Sequence, residues 1–463
     1  MKMFMHPGHQ HRKQVNMLEG SLADKIILFA LPLAASSVLQ QFFNAADLAV
    51  VGRFASSQAM AAVGSNAAVI NLIIGLFVGL SVGANVLIAS LIGSRHSEEI
   101  SIAVHTIISV ALITGVFLVF LGIVLSRPIL TMMGAPEDVM DLAILYLRIY
   151  FLAMPSIMIY NFGSAVLRSK GDSTRPLYAL FLSGIINIFL NLLFVVVFRL
   201  HVIGVAAATV ISNIFGAGLI LYFLMTEEAP FTLSFRHLTI RGSHLWKMIR
   251  IGLPAGLQGV VFSLSNVVIQ SAVNSFGAYA IAGCTAAQNF DFISFCVINA
   301  FSQTAVTFTG QNYAAGHLDR CKKVFRISML CGMGASALIV LLFVSFRYPL
   351  IHLFTNSEQV ISFAMIRITN CFILHFLIGT YEISGGCLRG MNYSLVPAVI
   401  SVIGTCGFRL MYVLLWFPNV HRFDALFRVY PISWILTGTA TLSAYFILYR
   451  RTRKRLQYSG SRG

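Results

Sequence analysis

The sequence is poor in charged residues and has no cysteine before Cys284. Asp, Glu, Lys and Arg make up only 10% of its 463 residues, with 16 acidic against 32 basic side chains. Soluble proteins carry about 25% charged residues, so this composition argues against an ordinary soluble globular protein. The seven cysteines form no C-x-x-C pair, which argues against a disulfide framework and against a zinc site.

Catalytic and nucleotide-binding motifs are also missing. The sequence contains no Walker loop, no H-E-x-x-H motif and no G-x-S-x-G motif. We therefore expect no enzymatic activity, no cofactor and no bound metal. The first twenty residues lack an apolar core and a cleavage site, so they are not interpreted as a signal peptide. Their three histidines are interpreted as part of a polar tail rather than as metal ligands: His6, His9 and His11.

Long apolar stretches are abundant, and hydrophobic residues make up 57% of the chain. Stretches of about 20 residues or more can cross a hydrocarbon core of ~30 Å as helices, whereas barrel strands need only about 9–11 residues. The sequence therefore predicts an all-α polytopic membrane protein with about twelve spans. The predicted spans are 26–52, 59–93, 101–125, 138–167, 177–199, 203–225, 248–275, 280–313, 324–346, 359–388, 395–417 and 430–450.

The basic residues are concentrated on one side of the predicted membrane. With an inside amino terminus, the inner segments hold about 22 Lys and Arg residues and the outer segments hold 6. This bias predicts a multi-pass protein of the bacterial plasma membrane with both termini in the cytoplasm. The natural partner of this charge is the anionic lipid surface of the bilayer rather than nucleic acid.

The second half of the chain repeats the first. Arg168 and Pro176 return as Arg389 and Pro397, in each case 221 residues later. A duplication inside an apolar chain is typical of secondary transporters, in which two similar bundles rock about a central site. We therefore predict two pseudo-symmetric six-helix lobes that move by alternating access, driven by an ion gradient. The predicted segments are a polar tail (1–24), an N-terminal lobe (25–225), a cytoplasmic linker (226–247), a C-terminal lobe (248–450) and a basic tail (451–463).

Acidic side chains within apolar spans are the first candidates for function, because a charge in the bilayer needs a partner or water. In the first span, Asp47 shares a helical face with Asn44, and Gln40 extends this polar stripe by another turn. Such a stripe suits a cation or a protonated carboxyl group. The alternative is that Asp47 meets only lipid headgroups or Arg53 near the end of its helix.

The fifth and sixth spans carry polar residues that suit the same site. Asn187 and Asn191 are four residues apart and therefore lie on one helical face, and Thr209 follows a run of small residues. The alternative interpretation is that these side chains only hydrogen-bond neighbouring helices and help them to pack.

In the second half, the candidates for substrate binding or a second coupling site are Glu382, Asp291 and Gln288. The two acids suit a proton or a cationic substrate. The alternative for each acid is a buried ion pair with Arg409 or Arg367.

Two further features are interpreted as structural. Arg168 and Arg389 are expected to anchor inner loops at the membrane surface. The prolines that interrupt spans are expected to bend their helices: Pro32, Pro155, Pro254 and Pro431.

Several segments resemble the multidrug and toxic compound extrusion (MATE) family, over nearly the whole chain. These are Asp47 to Arg53, Ala165 to Pro176, Gly204 to Thr209, Gly310 to Gly316 and Leu388 to Gly390. The resemblance implies two six-helix lobes around a central cavity. It also implies export of organic cations in exchange for Na⁺ or H⁺.

The resemblance further implies a coupling site in the N-terminal lobe. In members with a first-helix aspartate, this acid is joined by an Asn and an Asp on the fifth helix and a Thr on the sixth. The positions match Asp47, Asn187, Asn191 and Thr209, with Asn191 in place of the second acid. Another branch has acids on the seventh and tenth helices. Here the seventh helix has none, and Glu382 lies about one turn from the branch's aspartate.

We therefore expect a monomeric antiporter that exports amphipathic organic cations in exchange for H⁺ or Na⁺. One alternative is a lipid-linked oligosaccharide flippase of the same superfamily, whose cavity should be rich in Arg and Lys. Away from the ends of the predicted spans, basic residues are few (Arg148, Arg367 and Arg409), which favours the exporter. The other alternative is a membrane scaffold that transports nothing.

Overall fold

The computed structural model describes residues 15–54, 57–132 and 137–460. Over these residues the chain is helical, with no strands. Eleven of the described helices are long and apolar enough to cross a membrane, and a bent pair supplies a twelfth span. The predicted all-α fold with about twelve spans is confirmed.

We number the spans α1 to α12 in chain order. The N-terminal spans are α1 Ala23–Phe54, α2 Ser57–Gly93, α3 Ser97–Met132, α4 Glu137–Phe151 with Met154–Lys170, α5 Thr174–Asn191 with Leu192–Val197, and α6 His201–Met225. The C-terminal spans are α7 Gly242–Asn274, α8 Ala278–Ala314, α9 Leu318–Ser345, α10 Glu358–Gly390, α11 Leu395–Val420 and α12 Phe423–Gly460. Two short helices, Phe235–His237 and Arg347–His352, lie between spans.

Some helices are irregular, and only one of these irregularities was predicted. The two parts of α4 are bent by 45° just before Pro155, as expected for a residue that cannot continue the hydrogen-bond ladder. Pro32 and Pro254, by contrast, lie inside continuous helices. The 3₁₀ turns of α10 (Phe372–Leu377) and the π-helical turns of α5 and α11 contain no proline. Because no sequence signal marks them, they were not predicted.

The amino-terminal segment before α1 is packed rather than a free polar tail. Met17 and Leu22 are 1% and 5% exposed and belong to a core with Phe308 of α8. The prediction of a polar tail up to residue 24 is therefore wrong for this segment, where two apolar side chains find a buried surface. The histidines at 6, 9 and 11 lie outside the described residues.

Glycines bring the two lobes together along α2 and α7. A Cβ atom on Gly79 would lie 2.2 Å from the Cα of Gly256, and one on Gly83 would lie 2.1 Å from the carbonyl oxygen of Met248. Any larger side chain at these positions would push the helices apart, so the close approach of the backbones requires glycine.

Polar bonds between the lobes extend this contact. Asn85 of α2 accepts a hydrogen bond from Thr307 of α8 at 3.1 Å, and Gln311 of α8 donates to the carbonyl oxygen of Ser169 at 2.6 Å. Lys247 of α7 donates to Ser90 of α2 at 2.6 Å. These contacts lie toward the end of the bundle where α1 begins and α2 ends, which we call the basic end. Asp47 lies in the other half of α1.

Candidate coupling and substrate site

The N-terminal lobe contains a polar cluster built by α1 and α5. The Nδ2 atom of Asn191 lies 2.5 Å from Oδ1 of Asp47 and 3.2 Å from Oδ1 of Asn187. Asn191 is fully buried, Asn187 is 6% exposed and Asp47 is half-buried. The structure therefore brings together the carboxylate and both amides that the sequence singled out, and Asp47 does not merely face headgroups.

This cluster contains a buried oxygen atom that is left unpaired. Oδ1 of Asn191 is buried and has no hydrogen-bond partner among the described residues. An unpaired buried acceptor costs about 1–3 kcal/mol, so the site favours an additional donor or a cation. Carboxylate and amide oxygens are the ligands of hard cations, and a carboxylate also binds a proton.

Thr209 of α6 is buried, and its hydroxyl donates to the carbonyl oxygen of Val205 in its own helix at 3.0 Å. The structure shows no bond between Thr209 and Asp47 among the described residues, so the part of Thr209 in a coupling site stays a prediction.

Asn44 and Gln40 do not extend the cluster. Both side chains are exposed, and Nδ2 of Asn44 donates to Oε1 of Gln41 at 3.0 Å. The predicted polar stripe is therefore wrong as a hydrogen-bonded line, since Asp47 turns toward α5 whereas Asn44 bonds within α1.

In the C-terminal lobe, Asp291 of α8 is bonded to Arg367 of α10. The distance from Oδ2 of the acid to Nη2 of the arginine is 2.5 Å, and Arg367 is 5% exposed. The alternative of a buried ion pair thus describes Asp291 in this structure. Gln288, one turn earlier, is exposed.

Arg389 is buried, so its interpretation as a surface anchor is wrong. It is 8% exposed, and its Nη2 atom donates to Oε1 of Gln258 on α7 at 2.8 Å. Seven residues earlier on the same face of α10, Glu382 is half-buried and forms no hydrogen bond or ion pair through its carboxylate within the described part of the chain. Arg168 is also half-buried, and its Nε donates to the carbonyl oxygen of Ser164 at 3.2 Å. Arg168 thus donates a hydrogen bond within its own helix, whereas Arg389 donates one to the neighbouring helix α7.

A protein-family model identifies the family to which this chain belongs. The MatE model matches residues 32–193 and again residues 254–415, two segments 222 residues apart. The chain belongs to the MatE family. This match also confirms the duplication, since one model fits each lobe.

Curated proteins and solved structures agree with this MATE assignment. The probable multidrug resistance protein YoeA of Bacillus subtilis (strain 168) is 29% identical over 388 residues, which cover 82% of this chain and 84% of that protein. The probable multidrug resistance protein NorM of Thermotoga maritima is 26% identical and covers 83% and 84%. A crystal structure of MATE in complex with MaD3S superposes with a TM-score of 0.87 at 21% identity, covering 96% and 99%. The protein is thus a multi-pass MATE transporter of the multidrug efflux family.

Two tyrosines of this MATE chain adjoin the N-terminal cluster and were not singled out from the sequence. The ring centroids of Tyr146 and Tyr150 on α4 lie 6.0 Å apart with the ring planes tilted by 33°, and both residues lie within electrostatic range of Asp47. Their spacing of four residues on one helical face was the available signal, but tyrosines are common at membrane interfaces and this pair did not stand out.

Proposed function

We propose that the protein is a secondary active antiporter that exports amphipathic organic cations in exchange for H⁺ or Na⁺. The observation that carries this proposal is the bond between the Asp47 carboxylate and the buried amide of Asn191. A carboxylate held inside a membrane lobe, beside an unpaired amide oxygen, is a binding site for a proton or a cation.

Alternating access supplies the coupling. The contacts between α2, α7 and α8 close the basic end of the two-lobe bundle in this conformation. The distribution of Lys and Arg supports a basic end that faces the cytoplasm of a bacterial cell. With this end closed, the coupling cation reaches the Asp47 carboxylate from outside the cell. The cation and the substrate then compete for binding in the inward-open and outward-open conformations, so the import of the cation is coupled to the export of the substrate.

Substrate contacts are proposed along the exposed and half-buried polar residues of both lobes. Glu382 is half-buried without a hydrogen bond to its carboxylate among the described residues, so it is free to meet a cationic group. The exposed amides of Gln40, Asn44 and Gln288 would contact polar parts of the same substrate.

The experiment is gradient-driven efflux of a cationic dye from vesicles that contain the purified protein. We expect Asp47→Asn to reduce efflux to the level of protein-free vesicles, because an amide neither binds a proton nor carries a charge for Na⁺. The matched control is Asp141→Asn, which changes an exposed acid of α4. Equal melting temperatures of the two variants would show that both are folded.

Coupled efflux by Asp47→Asn at the wild-type rate would refute the role of Asp47. Imposing the proton gradient and the sodium gradient separately on the wild type identifies the coupling ion. Absence of dye efflux under either gradient would refute the cation-antiport proposal.

A further inference from the structure

Two positions that hold neutral polar residues in the N-terminal lobe hold arginines in the C-terminal lobe. The pairs related by the repeat are Tyr146 and Arg367 (221 residues apart), Thr209 and Tyr430 (221 apart), and Asn187 and Arg409 (222 apart). The longer shift follows the π-helical turn Val402–Gly407, in which a wider turn accommodates an extra residue. The repeat therefore relates the two clusters to each other, with different side chains in the two lobes.

The two arginines converge on one aromatic ring. The guanidinium carbon of Arg409 lies 4.3 Å from the ring centroid of Tyr430, and that of Arg367 lies 5.9 Å from the same centroid. Nε of Arg409 also donates to the hydroxyl of Ser433 at 2.9 Å. Both arginines are nearly buried, at 4% and 5% exposed. Helices α10, α11 and α12 thus hold two positive charges close together inside the C-terminal lobe.

The acidic residues of the lobe do not balance this charge. Asp291 pairs with Arg367, and Glu382 forms no ion pair in the described part of the chain. Arg409 forms no ion pair with any acid in the described ranges. Burying an unpaired charge costs several kcal/mol, so the pocket lacks one negative charge.

Unpaired polar atoms mark the same place. Nε of Arg367 is buried and has no hydrogen-bond partner among the described residues. The Asp291 side chain is 16% exposed, so the cluster reaches the surface of the lobe beside the exposed amide of Gln288. The 3₁₀ turn of α10 and the π turns of α11 flank the arginines, and such irregular turns are frequent at functional sites.

We propose that Arg367 and Arg409 form an anion-binding site in the C-terminal lobe. Its ligand is a carboxylate or phosphate group of an exported compound, or a small inorganic anion with the same charge. The duplicated pocket would then have opposite polarity in the two lobes, with a cation at Asp47 and an anion at Arg409. The assignment of the ligand as part of a substrate rests on the proposed export function, whereas anion binding itself does not.

Binding to the full-length protein in detergent tests the site without transport. Saturable binding of carboxyfluorescein, which carries carboxylates, is measured by fluorescence anisotropy, and the melting temperature is measured as the chloride concentration is raised in a zwitterionic buffer. We expect Arg409→Gln to weaken anion binding at least about tenfold, because the variant loses a charged hydrogen-bond donor to the anion. Arg409→Lys should keep part of the affinity. The control is Arg148→Gln, which changes an exposed arginine of α4 and should leave binding unchanged.

Asp291→Asn gives an independent test with the opposite sign. This variant frees Arg367 from its carboxylate and should tighten anion binding several-fold. Chloride that stabilises the protein and displaces the dye would identify a small-anion site, whereas dye binding without a chloride effect would identify a site for organic anionic groups.

The proposal is overturned if the wild type binds neither anion, or if Arg409→Gln binds as tightly as the wild type while Asp291→Asn changes nothing. These results are separate from the test of export. A wild type that exports a cationic dye but binds no anion refutes the anion site alone. A wild type that binds anions but moves no cationic dye under either gradient refutes the cation-antiport proposal alone.

Discussion

At the scale of single residues, Asn191 sets the charge of the N-terminal cluster. Its amide donates to both Asp47 and Asn187, so it occupies one carboxylate oxygen and leaves its own carbonyl oxygen unpaired. An aspartate at this position would add a second negative charge beside Asp47. The amide therefore makes the cluster a weaker cation site than two acids would be.

We predict that Asn191→Asp binds Na⁺ about tenfold more tightly than the wild type, since affinity for a hard cation rises with the number of charged oxygen ligands. The measurement is the melting temperature of the purified protein as choline is replaced by sodium at constant chloride. Binding stabilises the folded state in proportion to the logarithm of the ion concentration over its dissociation constant.

The control for this prediction is Asn213→Asp on α6. Asn213 is half-buried and donates to the carbonyl oxygen of Thr209 within its own helix. An equal sodium response in both variants, or none in Asn191→Asp, would contradict the role given to Asn191.

At the scale of helices, the glycines of α2 and α7 determine how closely the lobes approach. Gly79 faces the backbone of α7 with no room for a Cβ atom, whereas a Cβ on Gly75, one turn away, would meet nothing within 4 Å. Position 79 of α2 is therefore crowded and position 75 is open, although both residues are glycine. The close contact between the lobes depends on the glycine at position 79 and not on the one at position 75.

We predict that Gly79→Val separates the lobes at the basic end and that Gly75→Val does not. The valine side chain at position 79 would overlap the backbone at Gly256, so the helices must move apart. The measurement is the distance between labels attached at Arg95 and His317, two exposed residues that line one surface cavity from opposite lobes.

A longer distance in Gly79→Val, with an unchanged distance in Gly75→Val, is the expected result. Unchanged distances in both variants would show that the glycine contact does not limit closure. Equal changes in both would show that valine acts through the stability of α2 rather than through α7.

At the scale of the whole molecule, the segment before α1 connects the two lobes. The amide nitrogen of Val15 donates to the carbonyl oxygen of Gly171 in the N-terminal lobe at 3.3 Å. The carbonyl oxygen of Met17 accepts from Asn312 at 3.1 Å and from Arg320 at 3.2 Å, both in the C-terminal lobe. One short stretch of chain therefore bonds to both halves at the end where they touch.

We predict that removing residues 1–20 shifts the protein toward conformations with an open basic end. The deletion removes the hydrogen bonds to Gly171 and Asn312 and the buried side chain of Met17, all of which hold the lobes together. The measurement is the distribution of label distances between Arg95 and His317. A chain lacking only residues 1–14 retains these contacts and is the control; identical distributions in the two shortened chains would contradict the prediction.

Features that depend on local sequence were predicted well. The lengths of the apolar runs predicted the spans, and the spacing of Asn187 and Asn191 predicted that they share a helical face, because helix geometry relates residues that are near in the chain. The repeat predicted two lobes of the same fold, since equal patterns of apolar and turn residues produce equal bundles. Pro155 predicted the bend of α4 for a similarly local reason.

Features that depend on contacts between distant segments required the folded chain. Asp47 turns to Asn191 rather than to Asn44, and Asp291 meets Arg367 from another helix, because packing selects one partner among several that the sequence allows. Arg409 lies among apolar residues in the sequence, and only the folded lobe places it beside Arg367 and Tyr430. A helical period specifies which residues share a face, whereas the neighbour of that face follows from the burial of all twelve helices together.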